Sequence, residues 1–374
     1  MKRWLLGMAL ALAVLAFVVV VVVPIVALRF LNGVLATAPD YDASAADLDL
    51  LPLEGAVAVE GIRFVRPEVP DASPFLEIQR VVVTPHLGTM LHGDRIVDVV
   101  LEAPTLTYVV GPTPATSQTG IDPEWVAAVL REYPATLDHL RIVRGTASYH
   151  DVSASPDVAL SLTGLDVIGT NFANLTHVPQ QKFAHLTAKG NVLESGALEL
   201  DMDLAPYQKA PTFTLHANVR HVPLVRMNDA LRAYGNFDVQ AGSASVAIAM
   251  TGADGSYSGK VDPVLTDVKV VELAKEPELK KRPLRFAWES IIGTAKDVAE
   301  IVSPGPNDQV RLPVEIHGRF DGPSLLTNLV DVLPKAWFGS LLHAFGTTQA
   351  AGEEADRLRK EAVPIAERES QDAH

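Results

Sequence analysis

The chain has no cysteine, which excludes a disulfide framework, a zinc-thiolate centre, a CxxC redox pair and a cysteine nucleophile. Aromatic residues are scarce, at 6% of 374 residues, and 31 Lys and Arg are outnumbered by 45 Asp and Glu. Every acidic group lies beyond Pro39, whereas Lys2, Arg3 and Arg29 lie before it. A body so acidic repels a phosphate backbone, whose binding depends on Lys and Arg displacing counterions, so nucleic acid is not an expected partner. Local catalytic signatures are missing as well: there is no GxSxG elbow and no DxDxDG calcium loop. GADGSYSGK departs from a phosphate loop at Asp254, where Gly is needed, and at Val261, where Ser or Thr is needed. It reads as a hairpin turn.

What the chain does have is an apolar run, Trp4 to Leu28, without a charge. At ~1.5 Å rise per residue it is long enough to cross a ~30 Å hydrocarbon core. The Val18 to Val23 run favours helix there because hydrocarbon offers the backbone no other partner. Lys2 and Arg3 before the span, against Arg29 after it, favour a cytoplasmic N-terminus. The rival reading is a signal peptide cleaved after Ala36-Thr37-Ala38, but the apolar run exceeds the usual h-region of about 7 to 15 residues, and Pro39 follows the site. The expectation is an anchor over residues 1–30, a large extracytoplasmic body over 31–345 and a charged tail over 346–374.

Beyond the anchor, short runs of period two bounded by Gly, Pro, Asp and Asn predict strands with one buried face. They are Val57 to Val65, Glu77 to Thr84, Val97 to Glu102, Leu106 to Val110, Leu140 to His150, Val158 to Ile168 and Lys182 to Val192. Further on come Ala197 to Leu204, Thr212 to Val219, Ser243 to Thr251, Tyr257 to Val271 and Arg311 to Phe320. Hairpin chemistry at Glu194-Ser195-Gly196 and Asp254-Gly255 predicts an antiparallel meander. The segment 111–120 reads as a loop between strand groups. Helices are expected after Asp122-Pro123, over Pro223 to Tyr234, and as amphipaths over 283–302 and 335–345, the last a plug for the sheet's end. The fold class expected is mainly β with a few helices: an elongated, curved, groove-like antiparallel sheet after a single N-terminal transmembrane helix.

Several stretches carry a family likeness. DLDLLPLEGAVAVEGIRF after the anchor, LDHLRIVRGTASYHD at the centre and HVPLVRMNDALRAYGNFDVQAGSASVAIAMTGADGSYSGKVDPVLTDVKVV beyond it resemble the AsmA-like proteins of Gram-negative envelopes, in the branch carrying a large domain of unknown function. FAWESIIGTAKDVAEIVSPGPNDQVRLPVEIHGRFDGP resembles the C-terminal part of that family. The resemblance implies an inner-membrane protein with a periplasmic β-rich body that holds phospholipid acyl chains in an apolar groove and supports lipid transport or outer-membrane homeostasis. The shorter body puts bridging of the periplasm in doubt.

Strand alternation nominates groove residues: Leu198, Leu200, Met202, Phe213, Leu215, Val246, Ile248, Leu312, Val314 and Ile316. Acyl binding needs apolar area more than direction; at ~25 cal/mol/Å², burying about 300 Å² contributes roughly 7 kcal/mol before ordering costs. The other reading of the same faces is closure against helices or a second sheet, giving an envelope scaffold without cargo. His86 and His92, and His216 and His221, lack the i, i+4 helical spacing of a zincin and read as surface or loop histidines. Asp201 and Asp203 alternate with Leu200, Met202 and Leu204 and read as the wet face of a strand. Neither a metal nor another cofactor is expected, nor an enzyme, although a hydrolase site assembled from distant residues stays as a third reading.

Overall fold

The computed structural model describes residues 4–319 except 5–7, 9, 12, 13, 15, 16, 70–72, 91, 93, 94, 133–135, 173–182, 206–211, 236, 273–308 and 312. The two expected amphipathic helices at 283–302 and 335–345, the 346–374 tail and Leu312 lie outside the described residues. The chain is mainly β and mostly antiparallel, preceded by one apolar helix, α1 (Val18–Leu35). It divides into two compact units, Met1–Glu194 with Leu198–Tyr207 and Ser195–Ala197 with Gln208–His374.

Helix α1 has a mean hydropathy of 2.5 and is long and apolar enough to cross a membrane. It continues past the expected end of the anchor, and its last turns dock on the first unit. Asn32 does the fastening: its amide donates to the Ala45 carbonyl at 3.0 Å, and its carbonyl accepts from the Ala45 N–H at 2.7 Å. Leu35 is buried with Tyr41, Leu48, Val59, Phe64 and Phe75, and Leu28 and Leu31 pack against that cluster. Tyr41 stands 5.5 Å from Phe75 and edge-on to Phe64 at 6.4 Å between ring centroids.

In the first unit the strands β1 (Asp42–Ser44), β3 (Ala56–Val65), β4 (Leu76–Pro85), β5 (Ile96–Val110), β6 (Thr136–Asp151), β7 (Val158–Thr170), β8 (Ala184–Val192) and β9 (Gly196–Ala205) pair in that order, with β2 (Asp47–Leu51) also on β3. The predicted meander has one exception. Strands β5 and β6 are parallel, joined by a crossover that contains the 111–120 segment and helix α2 (Pro123–Glu132). Parallel neighbours cannot be joined by a tight turn, which is why a helix appears here. The segment 111–120 is itself tied down, Gln118 bridging to Val109 while its buried side-chain amide donates to Thr107 and Ser73 carbonyls.

One feature organises the whole of this sheet. Residues directly opposite each other share a face, and the register places Val59, Val81, Leu101, Ile142, Val167 and Ala188 in one unbroken row across β3 to β8. A second row runs Phe64, Leu76, Leu106, Ala147, Leu162 and Val192. Along β3 to β7 the two rows lie five positions apart, so strict alternation would put them on opposite faces, whereas along β8 they lie four apart. The chain absorbs the extra step at a common level. Gly61 (φ 62°), Ala103 (φ 45°), Arg144 (φ 55°) and Gly164 (φ 59°) have left-handed backbones there, and on β4 the pairing to both neighbours skips Gln79. Local irregularities of this kind bend a strand and re-aim its side chains. Both rows therefore stay on one apolar face, while Glu60, Arg80 and Glu102 form a row on the other.

Arg144 is the non-glycine of this line whose side chain is exposed. A left-handed conformation costs an L-residue roughly 1–2 kcal/mol, against ~0.5–1 kcal/mol of extra chain entropy for glycine. Arg144→Gly is therefore expected to raise stability by up to about 1 kcal/mol, read as a higher urea midpoint at unchanged slope. A lower midpoint would show that the line is not set by backbone preference.

In the second unit β10 (Thr212–Pro223), β11 (Phe237–Ala253), β12 (Ser256–Glu272) and β13 (Gln309–Arg311) pair in order, and β14 (Val314–Arg319) also pairs with β12. Asp254 (φ 51°) and Gly255 (φ 74°) form the expected two-residue hairpin turn between β11 and β12. The face-switching device recurs at His221 (φ 56°), Gly242 (φ 125°) and Asp267 (φ 53°), where the register shifts between β10 and β11 and between β11 and β12. The expected helix at 223–234 is a set of short helical turns, Leu224–Met227, Asn228–Ala230 and Leu231–Gly235, whose Leu224, Met227 and Leu231 are fully buried against β10 and β11.

Candidate functional site

The nominated groove residues of the second unit lie on a single face, as alternation predicts, but that face is sealed. Phe213, Leu215, Val246, Ile248, Val314 and Ile316 are between 0% and 7% exposed. Thr214, His216, Ala249 and Glu315, which alternate with them, are exposed. The helical turns at 224–235 cover part of the apolar side. Glycines opposite aromatic rings complete the packing: a Cβ on Gly252 would stand 2.0 Å from the Phe213 ring, and one on Gly318 would stand 2.5 Å from the Tyr257 hydroxyl. In the first unit, Met202 is buried and Leu198 and Leu200 are half-buried. Asp201 and Asp203 are wet, as expected, and face His185 at 3.5 and 3.0 Å.

The apolar surface that is not sealed lies elsewhere, on β4, β5 and β6. Val81, Val83, Val97, Val99, Leu101, Leu140 and Ile142 share the face defined above, and all are half-buried. Beyond the line of left-handed residues the same face continues through Leu106, Tyr108, Tyr149 and Leu160, also half-buried, with the two tyrosine rings stacked at 5.7 Å. Strand sequence alone is equally apolar in the two units; what differs is cover. One end of this face meets the Tyr41–Phe64–Phe75 cluster on which α1 docks, and Trp125 of α2 closes on Phe64 at 6.2 Å while its ring N–H donates to Thr37 Oγ1. Ala38 is buried in that cluster, and exposed Thr37 is held at its edge by the Trp125 ring.

The polar side of the same strands carries a second cluster. His86 follows β4, Asp98 is on β5, and Asp138 and His139 are on β6. His86 Nε2 is 3.0 Å from Asp98 Oδ2, and His139 Nδ1 is 2.9 Å from Asp98 Oδ1 and 3.4 Å from Asp138 Oδ2. Val97 pairs with Leu137 but Asp98 with His139, so Asp138 is an extra residue in β6. Partial burial raises the Asp98 carboxyl, but hydrogen bonds from His86 and His139 together outweigh it and hold the group below the usual carboxylate range. His92, which the sequence places across a turn from His86, bonds back to the Gly88 carbonyl of that turn. His216 is exposed on β10 and His221 occupies a left-handed position, so those two do not form a site. No model of a protein family matches the chain, and no curated protein matches it in sequence.

Proposed function

We propose that this protein is a membrane-anchored lipid-handling component of a Gram-negative envelope, of the AsmA-like kind, with its N-terminus in the cytoplasm and its β body in the periplasm. Phospholipid acyl chains lie on the half-buried apolar face of β4 to β6. The observation that carries this reading is the combination of an unsealed apolar strand face with its position beside a helix apolar enough to span a bilayer. Exposed contiguous apolar surface marks a place where another apolar body sits, and a face that begins where the chain leaves the membrane is placed to receive lipid from it. The rows of Val, Leu and Ile, without a buried charge, suit a methylene chain, which is recognised by area rather than by direction.

Photo-crosslinking tests it directly. A photoreactive residue at Val99 or Ile142 is expected to capture radiolabelled phospholipid in cells, while the same residue at Glu102 or Arg141, on the opposite face of the same strands, is expected to capture none. Equal labelling on the two faces, or none on either, would leave the cargo-free scaffold. That second reading has its own support in the sealed face of β10 to β14, and for those strands we favour a structural role.

A further inference from the structure

We propose that His86, Asp98, Asp138 and His139 form a binding site for one divalent first-row transition ion, zinc by preference, which clips the end of β4 to the parallel pair β5–β6. This inference is independent of the lipid reading and uses the opposite face of the strands. Four ligand-capable atoms, one from each residue, lie within 4.8 Å of one another. A tetrahedral ion bound at ~2.0–2.2 Å holds its ligands about 3.3–3.6 Å apart; the direct contacts of 2.9, 3.0 and 3.4 Å fall at or a little below that spacing, so small side-chain rotations that open the cluster would admit the ion.

The backbone is arranged for this. A strand normally sends successive side chains to opposite faces, so neighbours such as Asp138 and His139 do not meet the same partner. The extra residue in β6 removes that restriction by setting two residues against Asp98 alone, and irregularities of this type re-aim side chains at functional positions. The other positions are fixed from behind: the His86 N–H donates to the Ile96 carbonyl at 2.9 Å, and the Asp138 carbonyl accepts from the Phe172 N–H at 3.2 Å. Two imidazoles and two carboxylates suit zinc and its neighbours in the first transition row. Magnesium and calcium favour oxygen ligands alone. The His185, Asp201 and Asp203 group makes a useful contrast, having one imidazole and two carboxylates more than half exposed.

The test uses the full untagged chain in detergent, loaded with zinc chloride and passed through gel filtration with a weak chelator before metal analysis. About one zinc per chain is expected in the parent and in His185→Gln. His86→Gln and His139→Gln are each expected to weaken zinc affinity by more than ~100-fold, beyond the loss usual for a ligand's supporting partner. Cobalt(II) in the parent protein should give the intense visible absorption of a tetrahedral site, a reading that stands even where a variant does not fold. A parent that retains no zinc, a His86→Gln/His139→Gln chain that retains it, or a weak octahedral cobalt spectrum would overturn the proposal.

Discussion

A chain carrying Ile316→Asp is expected to lose the folded second unit, while Ile142→Asp, the same change in residue type, is expected to leave the first unit folded and to abolish lipid capture. Ile316 is 1% exposed and lies opposite Gly259 on the sealed face. Removing its side chain forfeits roughly 1.5–3 kcal/mol of burial. The new carboxyl must then take up a proton at neutral pH, about 3 units above its ordinary pKa, which adds some 4 kcal/mol. Together these rival the ~5–15 kcal/mol that holds an ordinary domain. At Ile142 the side chain is only half-buried, so a carboxylate there can turn to water and costs about 1–2 kcal/mol. Hydrogen exchange of peptides covering 213–219 and 244–250 reads the first outcome, and phospholipid recovered with the purified chain reads the second. Continued protection of those peptides in Ile316→Asp would mean that the second-unit face is open after all.

Gly252→Val is expected to destabilise the second unit by about 3–5 kcal/mol, the range for losing a large aromatic from a core. The new Cβ would fall 2.0 Å from the Phe213 ring, and Phe213 is itself 2% exposed. Gly33→Ala is the matched control: nothing lies within 4 Å of its added Cβ, and the residue sits inside α1. That change is expected to be neutral or to gain up to ~1 kcal/mol from helix propensity. Shrinking the ring should relieve the clash, so Phe213→Leu combined with Gly252→Ala is expected to cost less than the sum of the two single changes, with a coupling of at least about 1 kcal/mol in a double-mutant cycle. Strict additivity would show that ring and glycine do not share space.

Period-two alternation made nearly every strand legible, because a half-covered sheet forces it. The same pattern misled at β5, where Leu101 and Pro104 fall out of phase. Read as a sequence, that break looks like the end of one strand and the start of another. In the folded chain it is Ala103 turning the backbone so that both halves keep one apolar face. Glycines within strands at 61, 164 and 242 carried the signal, since an isolated Gly in a strand pattern marks a bulge or a close approach. The parallel pairing of β5 and β6 was hidden because its crossover begins with a Pro-rich and Thr-rich loop that looks like a linker. Alternation also says which side chains share a face, not whether anything lies over them. For that reason Phe213, Leu215 and Ile316 were nominated as open groove residues although they are sealed, and Val99 and Ile142 were passed over. The His86 cluster had no sequence signature, because its members are far apart in the chain and meet only through the pairing of β4, β5 and β6.

The common level of the left-handed residues bears on how such a protein changes length over generations. Strands β3, β5, β6 and β7 each carry a left-handed residue at the same height, so both apolar rows continue through any strand built to that rule. A duplicated hairpin inserted between existing neighbours would extend the rows by two strand spacings, about 9.5 Å, and leave every older side chain on its original side. A single inserted strand would reverse the direction of everything after it, and a hairpin without the phase change would turn half of its apolar residues toward water. Size variation in proteins built this way is thus expected in whole hairpins, each bearing a glycine or other left-handed residue near its middle.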